Sequence, residues 1–344
     1  MKKTILAAMA AVALAAVSMP VWKPYARRSK WFVVATNIYS DTLRRTGLKK
    51  GQFGDNTGGA LRNLAEVARI HDVFGNYLKH GITAEVFGGR DVLEVGPGDN
   101  VGVPLRFVAA GARRAVCVDR FIPFQTSPFH LDLYRTLRSQ IAPAELSAFD
   151  SAIQLDGGVR LDPARLEHVY GKGIEDAALP EHSFSLIISN AVLEEVYDTD
   201  RAFATMDRLL APGGTMAHKI DFKDYGMFSN FGFHALEFLT IPDWVYRYMS
   251  ESVGQPNRRL IDYYREKMRQ LGYQPTLYIT SVYTPAGERP LPPGVTRLEK
   301  GVHYGDDSVA YIGQIRPRLL DRYRGLADED LIASGIMLVA QKPK

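Results

Sequence analysis

The side chains in this sequence that are equipped for chemistry stand where apolar runs end. In "DVLEVGPGDN", Asp91 to Asn100, the run stops at Gly96 and Gly98 with Pro97 between them, and Glu94 lies two residues ahead of the first glycine. A Gly-x-Gly turn of this kind is either an ordinary tight turn or one that lets backbone N–H groups close on a ligand at a helix N-terminus. Two details bear on which ligand. Glu94 sets a carboxylate at the strand end, and the position where a dinucleotide fingerprint has its third glycine is Val101. A pyrophosphate needs the close approach that glycine allows and is repelled by a carboxylate, so the expected ligand is cationic or zwitterionic and free of phosphate. The next apolar run, "RRAVCVDR", ends at Asp119 and Arg120, with Asp119 23 residues after Gly96. That is the interval at which an acidic side chain reaches ribose hydroxyls in a nucleotide-binding βαβ unit; a solvated strand-end Asp is the other reading. Further on, "HKID" holds His218 and Asp221 at the end of a third such run. Imidazole with a carboxylate partner is the chemistry of a general base and its orienting group, and a structurally hydrogen-bonded His is equally consistent.

These residues need elements to position them, and hydrophobic period supplies the outline. Apolar residues at helical spacing from Leu61 to Ile70, ending at Gly81, predict a helix ahead of the first strand. Strands are expected near 91–95, 114–118, 167–170, 184–189, 214–221, 274–283 and 333–341, with helices in most of the intervals. Strands separated by helices imply an α/β fold with a doubly wound, mostly parallel sheet. Two intervals, 222–256 and 284–332, exceed a simple crossover and are read as insertions. A chain of 344 residues, 46% hydrophobic, can bury a full core. Residues 1–52 hold ten Lys or Arg against one Asp, so a net charge of +4 for the whole leaves the rest of the chain mildly acidic. An acidic domain is poorly suited to nucleic acid, whose binding rests on clustered Lys and Arg. The single cysteine, Cys117, excludes an internal disulfide and a Cys-based zinc cluster; its apolar setting reads as a core thiol, and no metal site is expected.

Taken together, "DVLEVGPGDN", the strand-end Asp119, "GIEDAALPEHSFSLIISNAVLEEVYD" and "LLAPGGTMAHKID" resemble the class I S-adenosylmethionine-dependent methyltransferases over roughly residues 57–283, with "SGIMLVAQKP" as the expected closing strand. The resemblance implies a seven-stranded Rossmann-like sheet whose last strand is antiparallel, and S-adenosylmethionine as cofactor. By position, the loop of Glu94, Gly96, Pro97 and Gly98 would hold the methionine part and Asp119 the ribose, with Arg120 among the cofactor-binding residues. Glu175 or Asp176 would flank the adenine, and Ser189 and Asn190 would border the methyl group. The chain departs from the family where Asn100 replaces a third glycine and Glu195 stands in "AVLEEV" where many relatives have His. Glu195 is then a base or substrate anchor, or a solvated helix residue. No Asn-Pro-Pro-aromatic motif follows the fourth strand, which disfavours planar nitrogen acceptors.

Methyl transfer is an in-line displacement, so a base is needed chiefly to take the proton of a hydroxyl. His218 is the expected base, with Asp221 as its partner. The aromatic run from Phe222 to Tyr246 reads as a lid or as the packed face of a helix pair, and Asn257 and Arg258 are placed toward the site. The expected acceptor is a small molecule, a cell-surface glycan or a lipid-linked sugar, methylated on oxygen. A nucleotide-dependent oxidoreductase and a binding protein without turnover are the competing readings. Residues 1–22 form an apolar leader, and residues 23–56 a basic linker. Its uncharged part, Ile5 to Val21, reaches about 26 Å as a helix against roughly 30 Å of hydrocarbon. An anchor, a cleaved signal and a misplaced start all fit. As an anchor, the cluster Lys23, Arg27, Arg28 and Lys30 would keep the domain cytoplasmic and tethered to the inner membrane.

Overall fold

The computed structural model describes residues 28–48, 65–120, 128–196, 198–250 and 255–344. The leader, and the start of the helix expected from Leu61, lie outside them. Part of the segment read as a linker folds as the helix Lys30–Arg45, whose Val33, Val34 and Ile38 are buried. The helix that precedes the first strand is Ala65–Lys79.

The strands are β1 (Asp91–Val95), β2 (Arg114–Asp119), β3 (Ile153–Gln154), β4 (Arg160–Leu161), β5 (Leu166–Tyr170), β6 (Phe184–Asn190), β7 (Leu210–Asp221), β8 (Gln274–Thr284), β9 (Gly287–Pro290) and β10 (Ala333–Gln341). β3 and β4 form a separate hairpin; the others form one sheet in the order β5-β2-β1-β6-β7-β10-β8-β9. β5 through β7 are mutually parallel, and β10 is antiparallel to both β7 and β8. The sheet has eight strands rather than the expected seven, because "GERP" in the second insertion pairs with the end of β8 as an edge strand. Its four residues are all exposed, so they carry no apolar alternation that would mark a strand.

The pleat sorts side chains between two layers. Val92, Ala115, Cys117, Leu186, Ile188 and Ala217 pack with helices Ala65–Lys79, Gly102–Ala109 and Pro128–Ser139 on one face. Leu93, Val95, Val116, Ile187, Met216 and Ile220 meet Phe203 and Met206 of helix Thr199–Leu209 and Tyr264 and Met268 of helix Ile261–Gln270 on the other. By the same alternation Glu94, Asp119, Lys219 and Asp221 belong to the first face, and Ser189 and His218 to the second. Cys117 is a buried free thiol.

Candidate active site

The carboxyl ends of β1, β2, β6 and β7 lie side by side, because these strands are parallel neighbours. After β1 the chain turns through Gly96 (φ +68°) and Gly98 (φ +77°), a region that L side chains avoid. A Cβ on Gly96 would stand 2.5 Å from Val192 Cγ2, so the loop packs against the segment that follows β6. The Gly98 N–H donates to Asp119 Oδ2 at 3.3 Å, tying the loop to the end of β2. Asn100, in place of a third glycine, is buried: its Oδ1 accepts from the Gly102 N–H at 2.9 Å and its Nδ2 donates to Glu66 Oε1 at 3.0 Å. Asn100 thus accepts from the first N–H of the following helix and fastens that helix to the preceding one.

Glu94 is buried, and its Oε2 has no hydrogen-bond partner among the described residues. Burial raises its pKa to about 8; Arg69 pulls it down and Asp119 pushes it up. A carboxyl held in this state is favoured in its ionised form by a nearby cation. Arg120 reaches Glu175 at 3.1 Å, and Glu175 is buried. Asp176 is exposed and paired with Arg201, so of the two neighbours Glu175 is the one enclosed near β2.

The acceptor side departs from expectation. Ser189 and His218 are register partners on β6 and β7, and Ser189 Oγ lies 2.8 Å from His218 Nδ1. His218 is wholly buried against Phe203, and burial lowers its pKa to about 3. Asp221 is not its partner: three residues along a strand reverse the face, and Asp221 pairs with Lys219 and Lys223 instead. The pairing of His218 with Asp221 is therefore corrected, and His218 stays neutral in the core. Asn190 ends β6 half-buried, and Ala191 next to it has φ +55°. Such strain in a non-Gly residue concentrates at functional sites.

Beyond Ala191 lie two adjacent carboxylates with different settings. Glu194 is buried; its Oε1 accepts from Tyr225 OH at 2.7 Å and from the Asp221 N–H at 3.2 Å, and burial raises its pKa to about 8, helped by Asp221. Glu195 is half-buried, with a pKa raised to about 7 by burial and then by Asp119. Tyr225 itself has φ +49°. Asn257 Nδ2 donates to the carbonyls of Leu193 and Val196, both at 2.7 Å, and so clamps this segment. Arg258 does not face the site: it is buried, donating to the Ile241 carbonyl at 2.6 Å and paired with Asp243. Half of the aromatic run is core, with Phe222, Phe228, Phe238 and Tyr246 buried. Tyr225, expected near the acceptor as part of the aromatic run, is indeed beside Glu194. Sequence reasoning missed Arg69 and Glu194; the doubled Glu of "LEEV" was a signal for Glu194, and nothing marked Arg69.

Among the described residues no cluster of metal-ligating side chains occurs. A mostly parallel sheet of this order, with a glycine turn after β1 and acidic side chains at the ends of β1 and β2, is consistent with a Rossmann-like methyltransferase fold, whose cofactor is S-adenosylmethionine. Residues 157–218, from before β4 to His218, match the sequence profile of a family described as a methyltransferase domain. No curated protein matches the chain in sequence. Solved structures to which it is similar include Haemonchus contortus phosphoethanolamine N-methyltransferase 2 with S-adenosyl-L-methionine, at 13% identity and TM-score 0.41, covering 86% of this chain and 61% of that one. Another is the complex of the Haloferax volcanii Trm112 methyltransferase activator with a methyltransferase, at 13% identity and TM-score 0.40, covering 82% and 94%. A third is the [4+2]-cyclase SpnF, at 15% identity and TM-score 0.37, covering 78% and 80%.

Proposed function

We propose that this methyltransferase acts on an oxygen nucleophile, carried by a small molecule or by a glycan or lipid-linked sugar, and that Glu195 takes the proton. The observation that carries this reading is the contrast between the two adjacent carboxylates. Glu194 is engaged by Tyr225 and the Asp221 N–H, whereas Glu195 is half-buried near Asp119 with its pKa at about 7. A carboxylate whose pKa lies near the working pH is suited to accept a hydroxyl proton. An amine acceptor that arrives deprotonated has less need of one.

The cofactor supplies an electrophilic methyl group on a sulfonium. The chain's own residues do the rest. The Gly96–Gly98 turn would offer backbone N–H groups, Glu94 a negative charge to the amino group, and Asp119 an acceptor to ribose hydroxyls. Glu175, beside Arg120, would flank the adenine. The Ser189–His218 pair is buried in the apolar layer behind the end of β6, and Asn190 is the half-buried side chain that would border the methyl group. Positioning accounts for most of the acceleration in such a displacement. A nucleotide-dependent oxidoreductase is disfavoured by Glu94 and Val101, since both oppose a pyrophosphate.

The test is transfer of label from methyl-labelled S-adenosylmethionine to panels of hydroxyl and amine acceptors across pH 5.5 to 9. The expected result is an O-methyl product with kcat/KM rising through about pH 7, and loss of that rise in Glu195→Gln. An N-methyl product, or the same pH profile in Glu195→Gln, would refute the proposal.

A further inference from the structure

Large aromatic side chains left exposed are few among the described residues, and three of them meet on two packed helices. Helix Asp243–Ser250 buries Val245, Tyr246 and Met249 and exposes Trp244, Arg247 and Tyr248, which at i, i+3 and i+4 share one face. Helix Lys30–Arg45 lies along it. Its first residue, Lys30, reaches Glu237 at 3.1 Å, just before the second helix begins, and its last, Arg45, holds its guanidinium 5.7 Å from the ring of Tyr248. Trp31 is 52% exposed, Trp244 44% and Tyr248 39%. Arg28, Arg45 and Arg247 are also exposed. The one acidic residue exposed on the second helix, Asp243, is held by Arg258 and Arg322.

We infer that this face docks on the headgroup layer of an anionic membrane. Tryptophan and tyrosine, each with an apolar body and a polar tip, settle at the membrane–water boundary, and arginines beside them are drawn to anionic lipids. The sequence just ahead has the same character. The uncharged segment Ile5 to Val21 is followed by Trp22, Lys23, Tyr25 and Arg27, which lead without an acidic residue into Trp31. No helix among the described residues is long and apolar enough to cross a membrane, so the folded part would lie on the surface rather than span it. A second copy of the chain is a poorer occupant, because the face would bring Arg against Arg, while Asp243 is already held by Arg258 and Arg322 and Asp41 by Arg45. The docked helix belongs to the segment that leaves β7 and returns at Asn257 to clamp Leu193 and Val196. Docking would hold at the lipid surface the same segment that carries this clamp, and so would favour a lipid-borne acceptor. That consequence rests on the function proposed above; the docking does not.

The chain's three tryptophans, Trp22, Trp31 and Trp244, make the test direct. Full-chain protein carrying Trp22→Phe and Trp31→Phe keeps Trp244 as its only tryptophan. With vesicles of phosphatidylglycerol and phosphatidylcholine, its emission should shift to the blue and be quenched by brominated acyl chains. Added salt and pure phosphatidylcholine should weaken both effects. Trp244→Ser with Tyr248→Ser in the full chain should cut sedimentation with anionic vesicles by about tenfold while leaving S-adenosylmethionine binding intact. Sedimentation with no change at Trp244 would mean that the leader binds alone, and would overturn the proposal. So would the absence of sedimentation, or an emission shift that follows protein concentration without vesicles, which would indicate a second copy.

Discussion

At the scale of single residues, the two glycines of the loop after β1 are not equivalent. Both have positive φ, but only at Gly96 would a Cβ collide, meeting Val192 at 2.5 Å; at Gly98 there is open space. Gly98→Ala should cost about 1 kcal/mol in stability from backbone conformation alone. Gly96→Ala adds a clash and should cost about 2–4 kcal/mol, with partial recovery in Gly96→Ala/Val192→Ala, as read by chemical denaturation. Equal losses at both positions would contradict the packing described. Glu94 gives a pH prediction. Its proton is held to about pH 8, and the cofactor's amino group prefers the ionised form, so affinity for S-adenosylmethionine should rise as pH increases from 6 to 8. Titration calorimetry should show protons released on binding and the slope lost in Glu94→Gln. That Glu94, Gly96 and Asp119 stand at or beside the ends of β1 and β2 was legible from type and spacing, because the apolar runs stop there. Arg69 was not, since its proximity to Glu94 arises only through folding.

At the scale of elements, the strand positions were legible wherever an apolar run was bounded by glycine, proline or charge, as in "RRAVCVDR" and "SGIMLVAQKP". β9 was not, because its four residues are all exposed. The pairing of His218 with Asp221 failed on a period of two, which sends i and i+3 to opposite faces of a strand. Buried beside Ser189 and Phe203, His218 should behave as a core residue. His218→Ala should lower stability by about 2–4 kcal/mol and leave the shape of the pH–rate profile unchanged. A stable variant that had lost turnover would restore His218 to the chemistry. The segment after β6 depends on the amide of Asn257. Asn257→Ala leaves the carbonyls of Leu193 and Val196 without that donor, and should cost about 1–3 kcal/mol and reduce turnover more than cofactor affinity. Comparing kcat with the dissociation constant for S-adenosylmethionine checks this.

At the scale of the whole molecule, the fully buried carboxyls Glu94 and Glu194 couple folding to pH. Each has its folded pKa raised from the ordinary carboxyl range to about 8. The folded chain therefore binds protons that the unfolded chain has already released between about pH 4.5 and 8, and the stability this confers is present at low pH and lost as pH rises. Without cofactor, the unfolding midpoint should fall from pH 5 to pH 8, and S-adenosylmethionine should reduce the fall by stabilising ionised Glu94. The helix Lys30–Arg45, which a basic composition disguised as linker, packs on the domain, so the full chain is the species to measure. The central claim, that the turn at Gly96 holds S-adenosylmethionine, is tested most directly by calorimetric titration of the full chain with S-adenosylmethionine and with NAD, using Asp119→Ala as the control. A charge-assisted hydrogen bond contributes about 1.5–3 kcal/mol, so S-adenosylmethionine should bind, NAD should not, and Asp119→Ala should weaken binding roughly tenfold to a hundredfold. A folded chain that binds no S-adenosylmethionine, or binds it equally well without the Asp119 carboxylate, would contradict the assignment of this site.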